Sequence, residues 1–309
     1  MRVSVVLCAH TLDRYGMVGD AAESVLDQTH DDVELVFVSD GDPDVHDRFE
    51  AEFGDRENVR THCSDENNGL LVSRNTGADL ASGDVVAFID DDAVAHPEWV
   101  RRLVDAYGDC DALAVGGKMT PMWVAGKPAF LPEEFYWLVG LTHRGFGEGR
   151  HTPAEVRNTN GSNISFRRDV FRDLGGFDAD IGGRKGDRNL QGGETELCAR
   201  LQAEYGEGVH YVPEARVAHR VLEYRTDPKW LLDRAFWQGY SKRGMEQFVP
   251  GSGQEESAFL DYLLTESLPG RAWSLATAPD PVRAKQLVWL VLLTAAVGFG
   301  YLYGMYKWG

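Results

Sequence analysis

The chain has 309 residues, with 49 Asp+Glu against 31 Lys+Arg, a formal charge of −18 and 43% hydrophobic residues. That composition excludes a disordered tail or a fibre and gives enough chain for one large domain or two small ones. It also excludes non-specific nucleic-acid binding, which needs Lys and Arg to displace counterions. Only seven of the basic residues are Lys, and an acidic, Lys-poor surface of this kind is what salt-adapted proteins use to hold hydration. The four cysteines (Cys8, Cys63, Cys110, Cys198) show no CxxC or His/Cys metal spacing and read as small, mostly buried hydrophobes. The start, MRVSVVLCAH, turns polar too soon for a signal peptide and reads as a strand.

Apolar runs alternate with helical patterns over the first hundred residues. Val3–Leu7 is a β-branched run suited to a strand buried on both faces, and residues 15–27 carry apolar side chains at helical spacing. Glu34–Val38 is the second strand, residues 45–53 the second helix, and Val59–Cys63 a weaker strand. After the turn Asn67-Asn68-Gly69 a helix runs over 70–81. Ser82-Gly83-Asp84 breaks it, and Val85–Ile89 is the next buried strand. Pro97 opens a helix to about Tyr107. This alternation predicts a mostly parallel sheet flanked by helices, with ligands bound beyond the carboxyl ends of the strands. The pattern then loosens: residues 121–146, rich in Trp, Phe, Gly and Pro, read as a mobile loop or a partner-facing segment. A strand over 163–167, a helix over 168–174, a polar Gly-rich loop over 182–193 and a helix over 194–205 follow. Short edge strands are expected at 209–212 and 216–218.

Residues 287–306 (LVWLVLLTAAVGFGYLYGMY) carry no charge. Twenty helical residues span about 30 Å, the thickness of bilayer hydrocarbon. Trp289 stands near one end and Tyr301, Tyr303, Tyr306 and Trp308 near the other, as interfacial aromatics do. Arg283 and Lys285 precede the segment and only Lys307 follows its start of polarity, so the positive-inside rule places the rest of the chain in the cytoplasm. The expected organisation is a globular α/β domain over 1–225, a membrane-proximal helical region over 226–286 and a single transmembrane helix over 287–306. Within 230–245, Trp230, Phe236, Trp237 and Tyr240 alternate with Arg234, Lys242 and Arg243. A helix of this make-up either lies at the bilayer surface or packs on a core with one wet face.

Asp90-Asp91-Asp92 follows the strand at 85–89 directly. Three adjacent carboxylates at a strand's carboxyl end repel one another, and a hard divalent cation offsets that repulsion. Asp40 closes the second strand in Ser39-Asp40-Gly41-Asp42, where it could accept the N3–H of a uracil. Arg74 lies on the helix opened by Asn68-Gly69, a combination that makes an anion site.

Together VSVVLCAH, ELVFVSDGD, NNGLLVSRNTGADLASGDVVAFIDDD and GSNISFRRDVFRDLGGFD resemble family 2 glycosyltransferases over about residues 1–220. The resemblance implies the GT-A fold, a nucleotide-diphospho-sugar donor such as a UDP-sugar, and Mg²⁺ or Mn²⁺. It implies that His10 stacks on the nucleobase, that Asp40 recognises it, and that Arg74 lies near the base and phosphates. Asp90, Asp91 and Asp92 correspond to the motif that holds cation and donor, with His219 a further cation or diphosphate contact. Gly161-Ser162-Asn163 and Arg167 correspond to the loop and strand that shape the sugar and acceptor pocket. The acid that serves as base falls at Glu194, with Glu196 the alternative, because this chain reads Gly193-Glu194-Thr195-Glu196.

With one hydrophobic span and no QxxRW motif, the chain is expected to transfer one sugar per encounter with inversion. The salt-adapted composition and the span make it resemble haloarchaeal enzymes that build glycans on dolichyl phosphate for N-glycosylation of surface-layer glycoprotein. That implies a lipid-linked acceptor and a hexuronic acid such as glucuronate as the transferred sugar. Arg144, Arg150, Arg184 and Lys185 are loop cations that could meet its carboxylate. A sugar nucleotidyltransferase and a non-catalytic, membrane-bound sugar-binding protein stand as the alternatives.

Overall fold

The computed structural model describes residues 1–146, 154–185, 188–249 and 253–308, with backbone alone at 154, 183–185, 188–189 and 253–255. The chain divides into two units. Unit 1 comprises Met1–Thr120, Arg150–Gly182 and Gly193–Arg220; unit 2 comprises Pro121–Gly149, Gly183–Gly192 and Val221–Gly309.

The sheet has nine strands among the described residues. They are β1 (Val3–Ala9), β2 (Val33–Ser39), β3 (Val59–Cys63), β4 (Val85–Asp90), β5 (Ala93–Ala95), β6 (Ala114–Trp123), β7 (Ala154–Val156), β8 (Ile164–Arg167) and a long strand, Val209–Val221. That long strand is β11, because β9 (Gly183–Lys185) and β10 (Arg188–Leu190) precede it as a separate two-stranded ribbon. The order is β3-β2-β1-β4-β8-β6-β11-β5, with β7 also on β11. β1 pairs in parallel with both β2 and β4, while β8 runs antiparallel to β4. Chain order reverses between β1 and β4, which makes their carboxyl ends the switch point where such sheets bind ligands.

Side-chain alternation along the strands builds two cores. Val3, Val5, Leu7 and Ala9 join one with α1 (Tyr15–Leu26), α2 (Pro43–Phe53) and α4 (Trp99–Cys110), whereas Val6 and Cys8 join the other with α3 (Leu70–Leu80), α5 (Arg168–Asp173) and α6 (Gly193–Tyr205). Asp42 caps α2 by accepting from the N–H groups of Asp44 and Val45, with Pro43 at its first position, a local start signal of the standard kind. Cys8 and Cys198 are buried, Cys63 is half-buried and Cys110 exposed, all of them reduced.

Two sequence expectations fail in this region. The pair of edge strands expected at 209–212 and 216–218 is one strand that runs on through Pro213 and sits inside the sheet order, between β6 and β5. The Gly-rich loop expected over 182–193 contains the β9–β10 ribbon.

In the segment expected to be a mobile loop or a partner-facing segment, residues 121–129 are mostly exposed, whereas 131–141 is core in unit 2. A 3₁₀ segment, Glu133–Val139, buries Phe135, Leu138 and Val139 together with Leu131 and Leu141. They pack with Leu231 and Ala235 of α7 (Pro228–Phe248), with Leu263, and with Leu290 and Leu293 of α10 (Pro281–Trp308). The aromatics Trp123, Phe130, Phe135, Tyr136 and Trp137 serve packing, which composition alone does not distinguish from a binding loop. Between α7 and α10 lie α8 (Gly253–Tyr262), a π-helical turn (Leu263–Ser267) and α9 (Leu268–Thr277). Buried Glu134 ties this layer together. It accepts from Ser267 Oγ at 2.6 Å and from Arg271 Nη2 at 2.6 Å and Nε at 2.9 Å.

α10 lies along α7 through glycines. A Cβ at Gly239 would stand 2.8 Å from the Val297 carbonyl carbon, and one at Gly300 would stand 2.7 Å from that of Phe236. Gly304 faces Arg243 and the Tyr240 carbonyl in the same way. Small residues at these positions let two helix backbones approach closely, with or without a membrane. The opposite side of α10 is bare and apolar: Val288, Val291, Leu292, Phe299, Leu302 and Tyr306 are exposed, Phe299 to 66% and Tyr306 to 82%. Among the described residues α10 is the one helix long and apolar enough to cross a membrane.

Candidate active site

The β1–β2–β4 register brings the sequence-predicted residues to one edge. Cys8 pairs with Val38 on one side and Asp90 on the other, and Ala9 pairs with Ser39. His10, Asp40 and the Asp90–Asp92 run therefore leave the sheet side by side. His10 is exposed there, while Asp40 is buried.

Asp40 uses its carboxylate locally. Oδ1 accepts from the Asn68 N–H and Oδ2 from the Gly69 N–H, each at 2.9 Å. It thereby fixes the turn that starts α3, and a second lone pair remains on each oxygen. Gly41 has φ 75°, and a Cβ there would meet the Asn67 Cα at 3.0 Å, so the turn demands glycine.

α3 delivers Arg74 into the centre of the site, 2% exposed. Its Nη2 donates to Asp90 Oδ1 at 2.7 Å and its Nη1 to Glu194 Oε1 at 2.8 Å. Burial opposes its charge, but Asp90 and Glu194 more than offset this and hold its pKa above the ordinary arginine value. Glu194 comes from the first turn of α6. It passes so close to Gly161 that a Cβ there would lie 2.7 Å from both Glu194 Cδ and Arg74 Nη1. Ser162 Oγ accepts from the Asp90 N–H at 2.9 Å. The loop at Gly161-Ser162 thus belongs to the site.

Glu196 points elsewhere. It is 8% exposed and takes a two-pronged contact from Arg200, 2.6 Å from Nε and 2.6 Å from Nη2. Of the two acids proposed from the sequence, only Glu194 meets the carboxylate cluster.

Asp91 and Asp92 face a residue that the sequence reading did not single out. Arg14, in the 3₁₀ turn Leu12–Arg14 after β1, places Nη2 3.1 Å from Asp91 Oδ2 and Nη1 3.8 Å from Asp92 Oδ2. No spacing rule marks Arg14; only the turn after β1 brings it there. Burial pushes the Asp91 carboxyl up to about 6; Arg14 opposes the rise, and Asp92 and Asp90 add to it. Asp92 is 3% exposed, with Oδ1 3.2 Å from His219 Nε2. The pairing of β5 with β11, His219 opposite Ala93, sets that contact.

Asp92 and His219 are the pair best placed to hold a divalent cation. Their 3.2 Å separation is near the roughly 3.0 Å edge of an octahedron with bonds of about 2.1 Å. No group of three or more candidate protein ligands surrounds one point among the described residues. Hard cations at phosphate sites commonly take one or two protein ligands and fill the remaining positions with substrate oxygens and water. Charge agrees: among the described residues the ion pairs of Asp90, Asp91, Asp92 and Glu194 with arginine are to Arg14 and Arg74, two cations against four carboxylates. The residues fit such an ion, with Asp92 and His219 as the pair that would hold it and Asp90 held by Arg74.

The remaining expectations fare unevenly. Asn163 is fully buried; its Oδ1 accepts from Trp99 Nε1 at 2.8 Å and its Nδ2 donates to the Ala215 carbonyl at 2.9 Å, so it braces the sheet. Arg167 does not shape the pocket. β8 runs antiparallel to β4 and sets Arg167 opposite Val85, at the far end of the strand from the carboxylates. There it donates to Asp111 Oδ1 at 2.6 Å and, with Asp169, Asp173 and Tyr205, lines a separate cavity of about 500 Å³. Arg150 and the side chains of Arg184 and Lys185 lie outside the described residues; Arg144 is exposed.

A sequence profile described as "Glycosyl transferase family 2" matches residues 4–175. A Glucosyl-dolichyl phosphate glucuronosyltransferase of Haloferax volcanii is 49% identical over 306 residues, 99% of this chain and 96% of that protein. Among solved structures, the mannosyltransferase PcManGT of Pyrobaculum calidifontis, in complex with GDP-Man and Mn²⁺, superposes with a TM-score of 0.60 at 15% identity, over 99% of this chain and 87% of that one. Residues 1–349 of TarS from S. aureus, in complex with UDP-GlcNAc, give 0.57 at 13% identity, over 96% of this chain and 82% of that one. The sheet order, the carboxylates at its switch point and a relative aligned nearly end to end lead to one assignment: the chain belongs to glycosyl transferase family 2 and is a glycosyltransferase of the GT-A fold.

Proposed function

We propose that the protein is an inverting transferase that moves one hexuronic acid, glucuronate, from its UDP-sugar to a saccharide carried on dolichyl phosphate. The observation that carries this reading is the 49% identity, over 99% of the chain, to the Haloferax volcanii glucuronosyltransferase. In this reading His10 stacks on the base, Asp40 and the turn it holds recognise the base, and Asp90 and Asp91 face the donor.

Glu194 is the base. Its Oε1 is held by Arg74 at 2.8 Å, and Oε2 is the oxygen that takes the proton from the acceptor hydroxyl. The hydroxyl oxygen bonds to C1 of the sugar as the bond from C1 to the diphosphate oxygen breaks, so the configuration inverts and UDP leaves. One acid suffices and no sugar–enzyme bond forms. Arg74 fixes the base beside Asp90, and Arg14 and Arg74 supply positive charge near the diphosphate. Mg²⁺ or Mn²⁺, held by Asp92 and His219, would neutralise charge on the departing diphosphate.

We further propose that α10 attaches the chain to the membrane, with unit 1 on the cytoplasmic side where Arg283 and Lys285 stand. The sequence alone reads this helix as a single crossing. The packing of α7 favours a helix that lies along the bilayer surface with its bare stripe downward. α7 carries Arg234, Lys242, Arg243 and Glu246, and Tyr301 of α10 donates to Glu246 Oε1 at 2.9 Å. A perpendicular α10 would draw Arg234, two residues before the Phe236 that Gly300 meets, toward hydrocarbon depth, at several kcal/mol.

The test is UDP release by the purified full chain with Mn²⁺, UDP-glucuronate and glucosyl-dolichyl phosphate. Release that requires the lipid acceptor supports the reading. Release with UDP-glucose but not UDP-glucuronate removes the sugar assignment, and release of pyrophosphate removes transfer altogether. An impermeant thiol reagent on a Lys307→Cys variant in a background where Cys63 and Cys110 are replaced by Ser, in sealed vesicles, separates the two membrane geometries by the side on which it reacts.

A further inference from the structure

Among the described residues of unit 2, Arg234 is a half-buried arginine set apart from its neighbours. Lys242 is paired with Glu256 at 2.9 Å, Arg243 with Glu246 at 2.7 Å, and Arg271 with Glu134 at 2.6 Å. Arg234, on the second turn of α7, makes no hydrogen bond or ion pair with any described residue, and its Nε is shut off from solvent. The charge it feels is of its own sign. Burial, and after it Arg225, push its pKa down to about 10 against the opposing Tyr224 hydroxyl.

Burying a cation without a partner is costly, and replacing it with an apolar side chain commonly leaves a protein as stable or more so. Among the described residues of unit 2 none hydrogen-bonds or ion-pairs with this half-buried guanidinium. Its terminal amino groups are the open end, and a planar fork of this kind matches two oxygens of a phosphate. The surroundings indicate where that phosphate comes from. Tyr224 and Trp230 meet edge to face at 5.7 Å beside the arginine, and Tyr224 is half exposed. Tyr, Trp and Arg together are the equipment of a surface at lipid-headgroup depth. α7 also backs the helix whose bare apolar stripe faces away from it.

We propose that Arg234 is an anion site for a phosphate ester at the bilayer surface, supplied by the lipid phosphate of the acceptor or by the headgroup of a bilayer lipid. This rests on the membrane attachment proposed above, and not on the identity of the transferred sugar.

The experiment uses the full chain, wild type and Arg234→Met, floated with phosphatidylcholine vesicles that carry polyprenyl phosphate or, separately, phosphatidylglycerol. Arg234→Met should bind the polyprenyl phosphate vesicles about tenfold or more weakly, the loss of a charge-assisted pair. Its melting temperature should stay level or rise by about 3 °C. A loss confined to polyprenyl phosphate identifies the acceptor as the source, and an equal loss with phosphatidylglycerol identifies the headgroup. Arg234→Lys keeps the charge without the fork and should fall between the two. Unchanged binding to both vesicles, or a clear fall in melting temperature that marks a structural role, overturns the proposal. UDP-glucuronate affinity, measured by calorimetry on the same variants, should not move. If UDP-glucuronate proves inert while vesicle binding still depends on Arg234, the sugar assignment fails and the phosphate site stands.

Discussion

Gly161→Ala tests the proposed base without touching it. Gly161 is not in the left-handed region, so alanine fits the backbone. The added Cβ would stand 2.7 Å from Glu194 Cδ and from Arg74 Nη1, where ordinary contact begins at 3.4 Å. Glu194 is the end of a flexible side chain, so it yields. Its carboxyl carbon must retreat by about 0.7 Å and Oε1 by more, which breaks the Arg74 contact. Misplacing a catalytic group by about 1 Å costs on the order of 100-fold in rate. The expected result is a kcat about 100-fold lower, a much smaller loss of donor affinity through the Cβ contact with Arg74, and a melting temperature within a few degrees of wild type. The assay is UDP release at saturating donor and acceptor, beside calorimetric binding of donor. A second arm uses Glu194→Asp, whose shorter side chain vacates the clash. Gly161→Ala should then cost far less in that background than alone, a non-additivity that marks direct contact. Full turnover in Gly161→Ala with the Cβ in place would refute Glu194 as the base.

Asp92→Ala removes a carboxylate that faces both His219 and Arg14 and should abolish transfer while leaving membrane binding intact; retained turnover would remove Asp92 from the cation site. Gly300→Ala forces α10 off the Phe236 backbone, where a Cβ would lie 2.7 Å from the carbonyl carbon, and should destabilise unit 2 by about 3 kcal/mol, read by thermal unfolding. Deleting α10 is a poor test of anchoring, since it would also strip Leu290 and Leu293 from the unit 2 core; Val291→Gln with Phe299→Gln should instead release the chain from membranes while it stays folded, as sedimentation would show. Burial holds His143 neutral, pushing its pKa from 6.5 down to about 4. The unfolded chain binds that proton first, so stability falls as pH drops from about 6.5 to about 4, by at most about 3 kcal/mol. His143→Phe should flatten that acid slope in a melting-temperature series, and an unchanged slope would assign it to other groups.

Legibility differed between the two units. In unit 1 the strands at Val3, Val33 and Val85 and the helices after them announce themselves locally, through β-branched runs, turn residues and helical spacing. The sequence placed their ends within a few residues. β5, β6 and β7 went unread because short or Gly-containing strands have no periodicity of their own and form only against β8 and β11. Residues 131–141 were misread because the same aromatic and turn residues serve a flexible loop and a packed core. Only Leu231, Leu263 and Leu290, far along the chain, show that this is core.

The sequence by itself determined that carboxylates stand at the ends of β2 and β4, that Arg74 opens a helix after a turn, and that an uncharged stretch of helix closes the chain. These are statements about neighbours in the chain, and nearby residues specify them. Tertiary structure alone decided which charges meet. Arg74 bonds to Glu194, 120 residues away, and to Asp90; Glu196, two positions on, turns to Arg200; and His219 reaches Asp92 only because β11 pairs with β5. It also decided that α10 has one side on α7 and one side bare. A carboxylate's partner depends on distances of a few ångström between segments that meet only when the sheet closes, and linear spacing carries no record of them.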